Sequence, residues 1–191
     1  YDHNIENMIF ETNAAERMRI DSSGRLLLGL SSPRANFYNS TNSPFIQLEG
    51  NDNNESALAI IQDFNANTQG AQLILAKNNS QTIGSNVLID NGDICGTVSF
   101  QGSDGSQFLE AASITCAING TPGSNDMPGR LSFSITADGD SNPTTRMTIN
   151  SQGDVLIGQS TTTQPGDNNN VQGLCFRVND STGADFGRFY A

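Results

Sequence analysis

The sequence predicts an all-β protein in which several copies of the chain share one core. Residues that favour turns (Gly, Asn, Ser, Thr and Asp) recur every 8–12 residues or so, which is the spacing typical of short strands. Helical periodicity is nearly absent, and the best helical candidate, 11–19, runs into a strand pattern. One phrase occurs twice, at 17–29 and again at 146–158, which indicates a structural unit used more than once.

The composition explains why a shared core is expected. The chain has 191 residues, 35% hydrophobic residues and no Trp. Leu, Ile, Val and Phe account for about 43 residues, a fraction close to that of disordered chains. A single chain of this kind buries too little apolar surface to offset its conformational entropy, although its apolar residues stand in strand patterns. Self-association resolves this conflict, so the composition predicts a homo-oligomer.

The charge balance argues against several kinds of partner. The formal net charge is -11 with nine basic residues, and Lys77 is the sole Lys. Nucleic acids and anionic membrane surfaces are therefore disfavoured. No apolar run reaches the roughly 18 residues that a transmembrane helix needs, and no signal peptide is visible. Because the sequence starts at Tyr1 and stops at Ala191 within an alternating pattern, we expect a processed or truncated piece of a longer protein.

The repeated phrase predicts a β-hairpin in each copy. An outgoing strand is followed by a four-residue turn that begins with Asp or Asn and ends with Gly, and a second strand then returns. These parts are 18–20, 21–24 and 26–28 in the first copy, and 147–149, 150–153 and 155–157 in the second.

The flanking sequences repeat as well. Each hairpin is preceded by a strand that ends in Phe and followed by a further strand pattern and a polar turn; these are 8–10, 45–48 and 50–55 around the first hairpin, and 131–133, 174–178 and 179–183 around the second. We therefore divide the chain into the end of one repeat unit (1–50), a complete unit (51–160) and the truncated start of another (161–191). Further strands are predicted within the complete unit at 57–62, 72–76, 86–90, 96–101, 112–118 and 130–135.

Several strings of the complete unit resemble the repeat modules of tailed-bacteriophage fibre proteins, of the kind common in marine and cyanobacterial phages. They are QLILAK at 72–77, GTVSFQGSDG at 96–105, ASI at 112–114, NGTPGSNDMPGRLSF at 119–133 and RMTI at 146–149. ERMRIDSSG at 16–24 is similar to a phrase that often precedes a self-cleaving intramolecular chaperone domain. No such domain is visible here, so its Ser and Lys machinery is assigned to no residue.

The resemblance implies a structural segment of a tail fibre, outside the cell on the virion and made in the cytoplasm of a bacterial host. It implies an interwoven homotrimer of short antiparallel strands and hairpins, with units like a β-sandwich or β-prism. Its partners would be other copies, other tail or baseplate proteins and a host surface glycan or protein. A capsid decoration or head-fibre protein and a polysaccharide-degrading tailspike stay open as alternatives. In such a trimer, the residues expected to face the core are Met18, Ile20, Met147 and Ile149, whereas Arg17 and Arg146 should face outward or bridge to a carboxylate.

Candidate metal ligands are weak. Residues 138–142 have the D-x-D-x-N spacing of a calcium loop, but Pro143 and Ile149 stand where an EF-hand requires Gly and Glu. The sequence at 90–93 is likewise more typical of a turn than of an ion site. We predict no metal site and no cofactor.

Candidate catalytic groups are equally weak, and we predict no enzymatic activity. Carboxylates for glycoside hydrolysis are available at Asp93, Asp104, Glu110 and Asp126, but a chain rich in Asp turns always offers such pairs. His3 is the only His, and it stands near the start of the chain. Cys95, Cys116 and Cys175 form no CxxC pair and read as small apolar strand residues. The aromatic residues Phe37, Tyr38, Phe186, Phe189 and Tyr190 either contact a receptor or pack between chains, and packing is favoured.

Overall fold

The computed structural model describes residues 7–65 and 68–158 and the backbone of 174–176. Within these ranges the regular secondary structure is entirely β, which confirms the predicted class. No helix in the described ranges is long and apolar enough to cross a membrane. The strands are β1 (Met8–Thr12), β2 (Ala15–Ile20), β3 (Leu26–Leu28), β4 (Ile46–Leu48), β5 (Ile94–Ser103), β6 (Phe108–Ile118), β7 (Gly129–Ile135), β8 (Thr144–Ile149), β9 (Val155–Ile157) and β10 (Leu174–Phe176).

The chain forms two compact units. The first comprises Tyr1–Leu73 with Ser103–Phe108, and the second comprises Ile74–Gly102 with Leu109–Ala191. The first contains a four-stranded sheet in the order β1-β2-β3-β4, and the second contains most of a six-stranded sheet in the order β10-β9-β8-β7-β6-β5. The three-part division at 1–50, 51–160 and 161–191 concerns sequence repeats and stays a prediction; of its last part only 174–176 is described.

The predicted hairpins form in both copies with the same register. Met18 aligns with Leu28 in the first hairpin, and Met147 aligns with Ile157 in the second. Both turns close through a Gly N–H donated to the first turn residue, at 2.9 Å from Gly24 to Asp21 and 3.0 Å from Gly153 to Asn150. Gly24 and Gly153 have φ of 79° and 87°, a conformation that side chains other than Gly rarely adopt.

The strand ahead of each hairpin also repeats. β1 lies antiparallel to β2, and β7 lies antiparallel to β8. The register shifts directly after Phe10 in the first pair and directly after Phe133 in the second. Because a β-bulge re-aims the residues that follow it, its recurrence at the same Phe shows that the repeat is structural over three strands.

The strand that follows each hairpin differs in direction between the two copies of the repeat. β4 pairs with β3 in parallel, with Leu27 opposite Gln47, whereas β10 pairs with β9 antiparallel, with Leu156 opposite Cys175. Both strands lie inside the predicted stretches 45–48 and 174–178, so their existence is confirmed. The sequence contained no signal for their opposite directions.

Three predicted strands are wrong. The stretches 57–62, 72–76 and 86–90 form no sheet pairing, although 96–101, 112–118 and 130–135 lie largely within β5, β6 and β7. An alternating pattern shows that a stretch suits a strand, but a strand forms only where it hydrogen-bonds to another strand. Within the described chain these stretches have no such neighbour. The helical candidate 11–19 is β structure, with a turn at Asn13 and Ala14 between β1 and β2.

The buried apolar core is small in the described part of the chain. The hydrophobic side chains that are buried there are Leu27, Ile89, Ala117, Ile118 and Leu156. Leu27 and Leu156 are equivalent residues of the two hairpins, so each copy contributes one residue in the same place.

Candidate assembly surface

One face of the first sheet is entirely apolar along two rows of paired residues. The register places four residues in each row, with Met8, Ile20, Leu26 and Ile46 in one and Phe10, Met18, Leu28 and Leu48 in the other. Residues in register across strands share a face. This face, which we call the first apolar face, is partly or largely exposed, up to 69% at Ile46.

The opposite face of the same sheet is covered by the chain at β3 and β4, whereas Ile9 of β1 on that face is 45% exposed. Leu27 is 0% exposed there, and the neighbouring Gln47 is buried. The Gln47 side chain accepts the backbone N–H of Arg34 at 2.9 Å and donates to the carbonyls of Arg34 at 3.0 Å and Pro44 at 2.9 Å. These bonds hold the loop 34–44 against β4, so the chain covers this part of the opposite face and leaves the first apolar face open.

The second sheet repeats the same two apolar rows. One row contains Cys116, Leu131, Ile149 and Val155, and the other contains Ile114, Phe133, Met147 and Ile157. These residues form the second apolar face, which is half-buried and most exposed at Ile157. On the other side of this sheet, Leu156 is buried opposite Thr148.

The residues expected to face a shared core therefore share one face in each copy. Met18 and Ile20 belong to the first apolar face, and Met147 and Ile149 belong to the second. Arg17 and Arg146 are exposed. Arg17 donates its Nε to Thr12 Oγ1 at 2.9 Å, so its described partner is a hydroxyl group and not a carboxylate.

Sequence reasoning missed Leu27 and Leu156, which lie on the other side of each sheet. A usable signal was present, because both returning strands are apolar at all three positions, as Leu-Leu-Leu and Val-Leu-Ile. Continuous apolar strands are typical of burial on both faces, whereas half-buried strands alternate.

No protein-family model matches this chain, and no curated protein matches it either. Its function is therefore inferred from its own residues.

Three of the four ion pairs in the described chain involve turns and loops, whereas Arg19 and Glu16 pair within β2. The Asp93 carboxylate accepts Lys77 Nζ at 2.7 Å, Asn79 Nδ2 at 2.8 Å and the backbone N–H of Asp90 at 2.7 Å. The hydrogen bond from the Asp90 N–H, with those from Lys77 and Asn79, lowers the pKa of Asp93 from 3.8 to about 2. The stretch 90–93 is thus a hydrogen-bonded turn, as its sequence suggested.

Two other carboxylates considered for catalysis, Asp104 and Glu110, also have local partners. Asp104 accepts the backbone N–H groups of Gln107 and Ser106, both at 2.8 Å, and these bonds lower its pKa. Glu110 accepts a hydrogen bond from Ser99. The backbone of Asp126 pairs with that of Gly123 through an isolated bridge. The stretch 138–142 contains a turn in which the Asp140 N–H donates to Ala137 O at 3.1 Å. Among the residues that the structure describes, no three His, Cys, Asp or Glu side chains are grouped to hold a metal ion.

Two of the three cysteines have described side chains. Cys95 and Cys116 are free and half-buried on neighbouring strands. Burial of the Cys95 thiol, together with the nearby Cys116, raises its pKa, which keeps it protonated at neutral pH. This state suits the expected role as a small strand residue. The side chain of Cys175 lies outside the described residues, as do His3, Phe186, Phe189 and Tyr190.

The aromatic residue Phe37 packs inside the first unit. Its ring stacks on Phe108, with centroids 4.9 Å apart and ring planes at 10°, and the Arg34 guanidinium lies 5.7 Å from the Phe108 centroid. Arg34 also pairs with Glu49. Tyr38 begins a run of three left-handed residues, with φ of 49°, 57° and 63°. Phe37 is therefore occupied by packing within the chain, whereas the two apolar faces have exposed side chains that a partner could contact.

Proposed function

We propose that this chain is a structural segment of a bacteriophage tail fibre, acting as a homotrimer that projects from the virion and supports attachment to the host cell. The observation that carries this proposal is the repeated three-stranded unit, which presents the same two-row apolar face twice in one chain. A repeated unit with an uncovered apolar face is what an assembly built from successive modules requires.

Self-association accounts for the exposed apolar residues. The first apolar face contains eight apolar residues in register. Burying apolar surface contributes about 25 cal/mol per Å², so two sheets of this kind gain several kcal/mol when other copies cover them. A trimer of interleaved chains, with units like a β-sandwich or β-prism, would place both faces in a common core. Attachment then depends on reach and on threefold avidity, and the segment has no catalytic role.

The oligomeric state tests the proposal directly. We expect sedimentation equilibrium at micromolar concentration to give three times the chain mass of 20.3 kDa. A monomer that retains its full β-sheet circular dichroism signal would overturn the trimer and with it the fibre.

The location on the particle separates the fibre from its main alternative. Gold-labelled antibodies raised against this chain should mark the tail of intact phage. Labelling of the capsid would instead identify a decoration or head-fibre protein, for which trimeric β modules are equally suitable. Release of oligosaccharides from host capsular polysaccharide would identify a depolymerase and contradict the structural role.

A further inference from the structure

The sequence contains two Asn-Gly dipeptides, and the fold brings them together. They are Asn91-Gly92, in the turn ahead of β5, and Asn119-Gly120, directly after β6. The side-chain Oδ1 of Asn91 accepts the backbone N–H of Gly120 at 3.0 Å, across 29 residues of chain. Gly92 donates its N–H to the carbonyl of Ile118 at 3.0 Å. Each glycine therefore donates its N–H to a residue in or beside the other dipeptide.

Asn-Gly dipeptides are prone to a specific chemical change. Asn is a thermolabile residue, and a following Gly has no side chain to hinder the approach of its own nitrogen to the Asn side chain. The Gly nitrogen loses its proton and attacks the Cγ of the Asn; the bond from Cγ to Nδ2 breaks, ammonia leaves and a cyclic imide forms. Water then opens the imide to aspartate or to isoaspartate, in which the main chain continues through the side-chain carbon. Water is the only co-reactant.

A hydrogen bond on the Gly N–H opposes this reaction, because the proton must leave and the nitrogen must turn toward Cγ. At Gly120 the acceptor is the Asn91 side chain, so one dipeptide holds the reacting nitrogen of the other. Asn119 is half-buried and held as well: its N–H donates to Pro128 O at 2.8 Å, and its Oδ1 accepts the N–H of Ser151 at 3.1 Å. Both reacting atoms of the second dipeptide are thus kept in place by contacts within the chain.

We propose that Asn119 is a latent deamidation site and that the Asn91 side chain protects it in the folded chain. Reaction at Asn119 requires a local opening that frees the Gly120 N–H, so its rate follows the population of the open form. The modification has a structural consequence, because isoaspartate moves the oxygen that accepts the N–H of Ser151 and so releases the turn 150–153 of the second hairpin. The proposal concerns the chemistry of the single chain and is independent of the proposed function.

Asn91→Ala and Asn91→Asp form a matched pair of variants. Ala removes the acceptor of the Gly120 N–H, whereas Asp keeps a side-chain oxygen that can accept it. Incubation at mildly alkaline pH, followed by trypsin digestion and mass spectrometry, measures conversion at Asn119. We expect Asn91→Ala to react about fivefold faster than the wild type, through the loss of one hydrogen bond, and Asn91→Asp to stay close to the wild-type rate. Hydrogen exchange at Ile118, whose N–H donates to Asp93 O at 2.8 Å, should remain slow in both variants.

The wild type provides a test that needs no substitution. One tryptic peptide, 78–130, carries both Asn91 and Asn119, because no Lys or Arg lies between Lys77 and Arg130. Isoaspartate at position 91 moves its carboxyl group away from the N–H that the amide held, so conversion at Asn119 should be about fivefold enriched among peptides that carry this change.

Three results would overturn the protection. They are equal rates at Asn119 in Asn91→Ala and in the wild type, equal rates in the folded protein and in the chain unfolded by urea, and independent occurrence of the two changes on the wild-type peptide. If Asn91→Ala loses its β-sheet circular dichroism signal, the wild-type peptide decides the question alone.

Discussion

Leu27 and Leu156 occupy the same place in two copies of one hairpin, and they are 0% and 2% exposed. Leu27 lies opposite Arg19 and Leu156 opposite Thr148, in the same register. The polar residue across the strand differs between the copies, but the buried leucine does not. The interior of each hairpin therefore depends on a residue that faces away from the apolar rows.

Replacing either leucine should destabilise its own unit. We expect Leu27→Ala and Leu156→Ala each to lower the free energy of unfolding by about 2–5 kcal/mol, since each leaves a cavity in a small core. Urea denaturation followed by circular dichroism measures the change. Ile46→Ala, at a residue that is 69% exposed, is the control and should cost less than about 1 kcal/mol in a chain kept dilute enough to be monomeric. A similar loss of unfolding free energy in all three variants would show that the two leucines contribute no more to stability than the exposed Ile46.

Both turns contain a hydrogen-bonded side-chain pair at the same two positions, but the donor and acceptor residues are reversed between them. In the first, Arg25 Nε donates to Asp21 Oδ2 at 2.7 Å; in the second, Asn150 Nδ2 donates to Asp154 Oδ2 at 3.1 Å. Asn150→Asp places a second carboxylate beside the buried Asp154, so we expect a loss of about 1–3 kcal/mol in the free energy of unfolding. Asp21→Asn keeps the acceptor oxygen of its turn and should cost less.

The pair can also be rebuilt, which provides a strict control. Asn150→Asp combined with Asp154→Arg reproduces the arrangement of the first turn and should recover most of the lost stability. The comparison is a double-mutant cycle measured by urea denaturation. Additive losses in the combined variant would contradict the equivalence of the two turns.

The Asp93 carboxylate makes stability depend on pH. Its pKa is depressed from 3.8 to about 2, so the folded state binds its proton less readily than the unfolded state. The stabilisation is fully present above the unfolded pKa and is lost as the pH falls through 3.8 toward about 2. Urea midpoints measured from pH 5 to pH 2 should decline, and Asp93→Asn should decline less steeply over the same window. Parallel curves for the two proteins would rule out a contribution from Asp93.

A charge on the first apolar face should prevent association and leave the chain folded. Ile46→Lys introduces an ammonium group where the side chain is 69% exposed in the single chain, so folding changes little. Burying that charge against another copy is costly, and we expect the concentration for half-dissociation to rise by about tenfold or more. Ile83→Lys is the matched control, because Ile83 is 103% exposed in a turn and lies in neither apolar row. Equal effects of the two lysines would indicate that net charge alone controls association.

The sequence was informative where structure is local. Asx-x-x-Gly turns fix their own geometry through bonds such as Gln152 N–H to Asn150 Oδ1, so both hairpins could be placed to the residue. Four residues of the apolar faces, Met18, Ile20, Met147 and Ile149, followed from the alternation within the outgoing strands. The alternation of residues also predicted a strand at 57–62. A β-strand requires hydrogen bonds to a neighbouring strand, and the residue pattern does not show whether such a neighbour exists.

The sequence predicted four residues of the candidate surface, and the strand register supplied the others. The alternation gave Met18 and Ile20 a common side, yet the burial of Leu27 on the reverse side depends on Gln47 holding the loop 34–44 in place. That loop closes through hydrogen bonds between residues distant in sequence, for which a periodic pattern contains no information. Likewise, the packing of Phe37 on Phe108 joins residues from distant parts of the chain.

The opposite directions of β4 and β10 have a consequence for how such chains diversify. The outer edge of the returning strand accepts a parallel neighbour in one copy and an antiparallel neighbour in the other. A hairpin with this tolerance imposes no direction on what is joined after it. A segment joined just beyond Gly29 or Gly158 can therefore pair with the hairpin in either direction, but beyond Gly29 it must also supply the cover that buries Leu27.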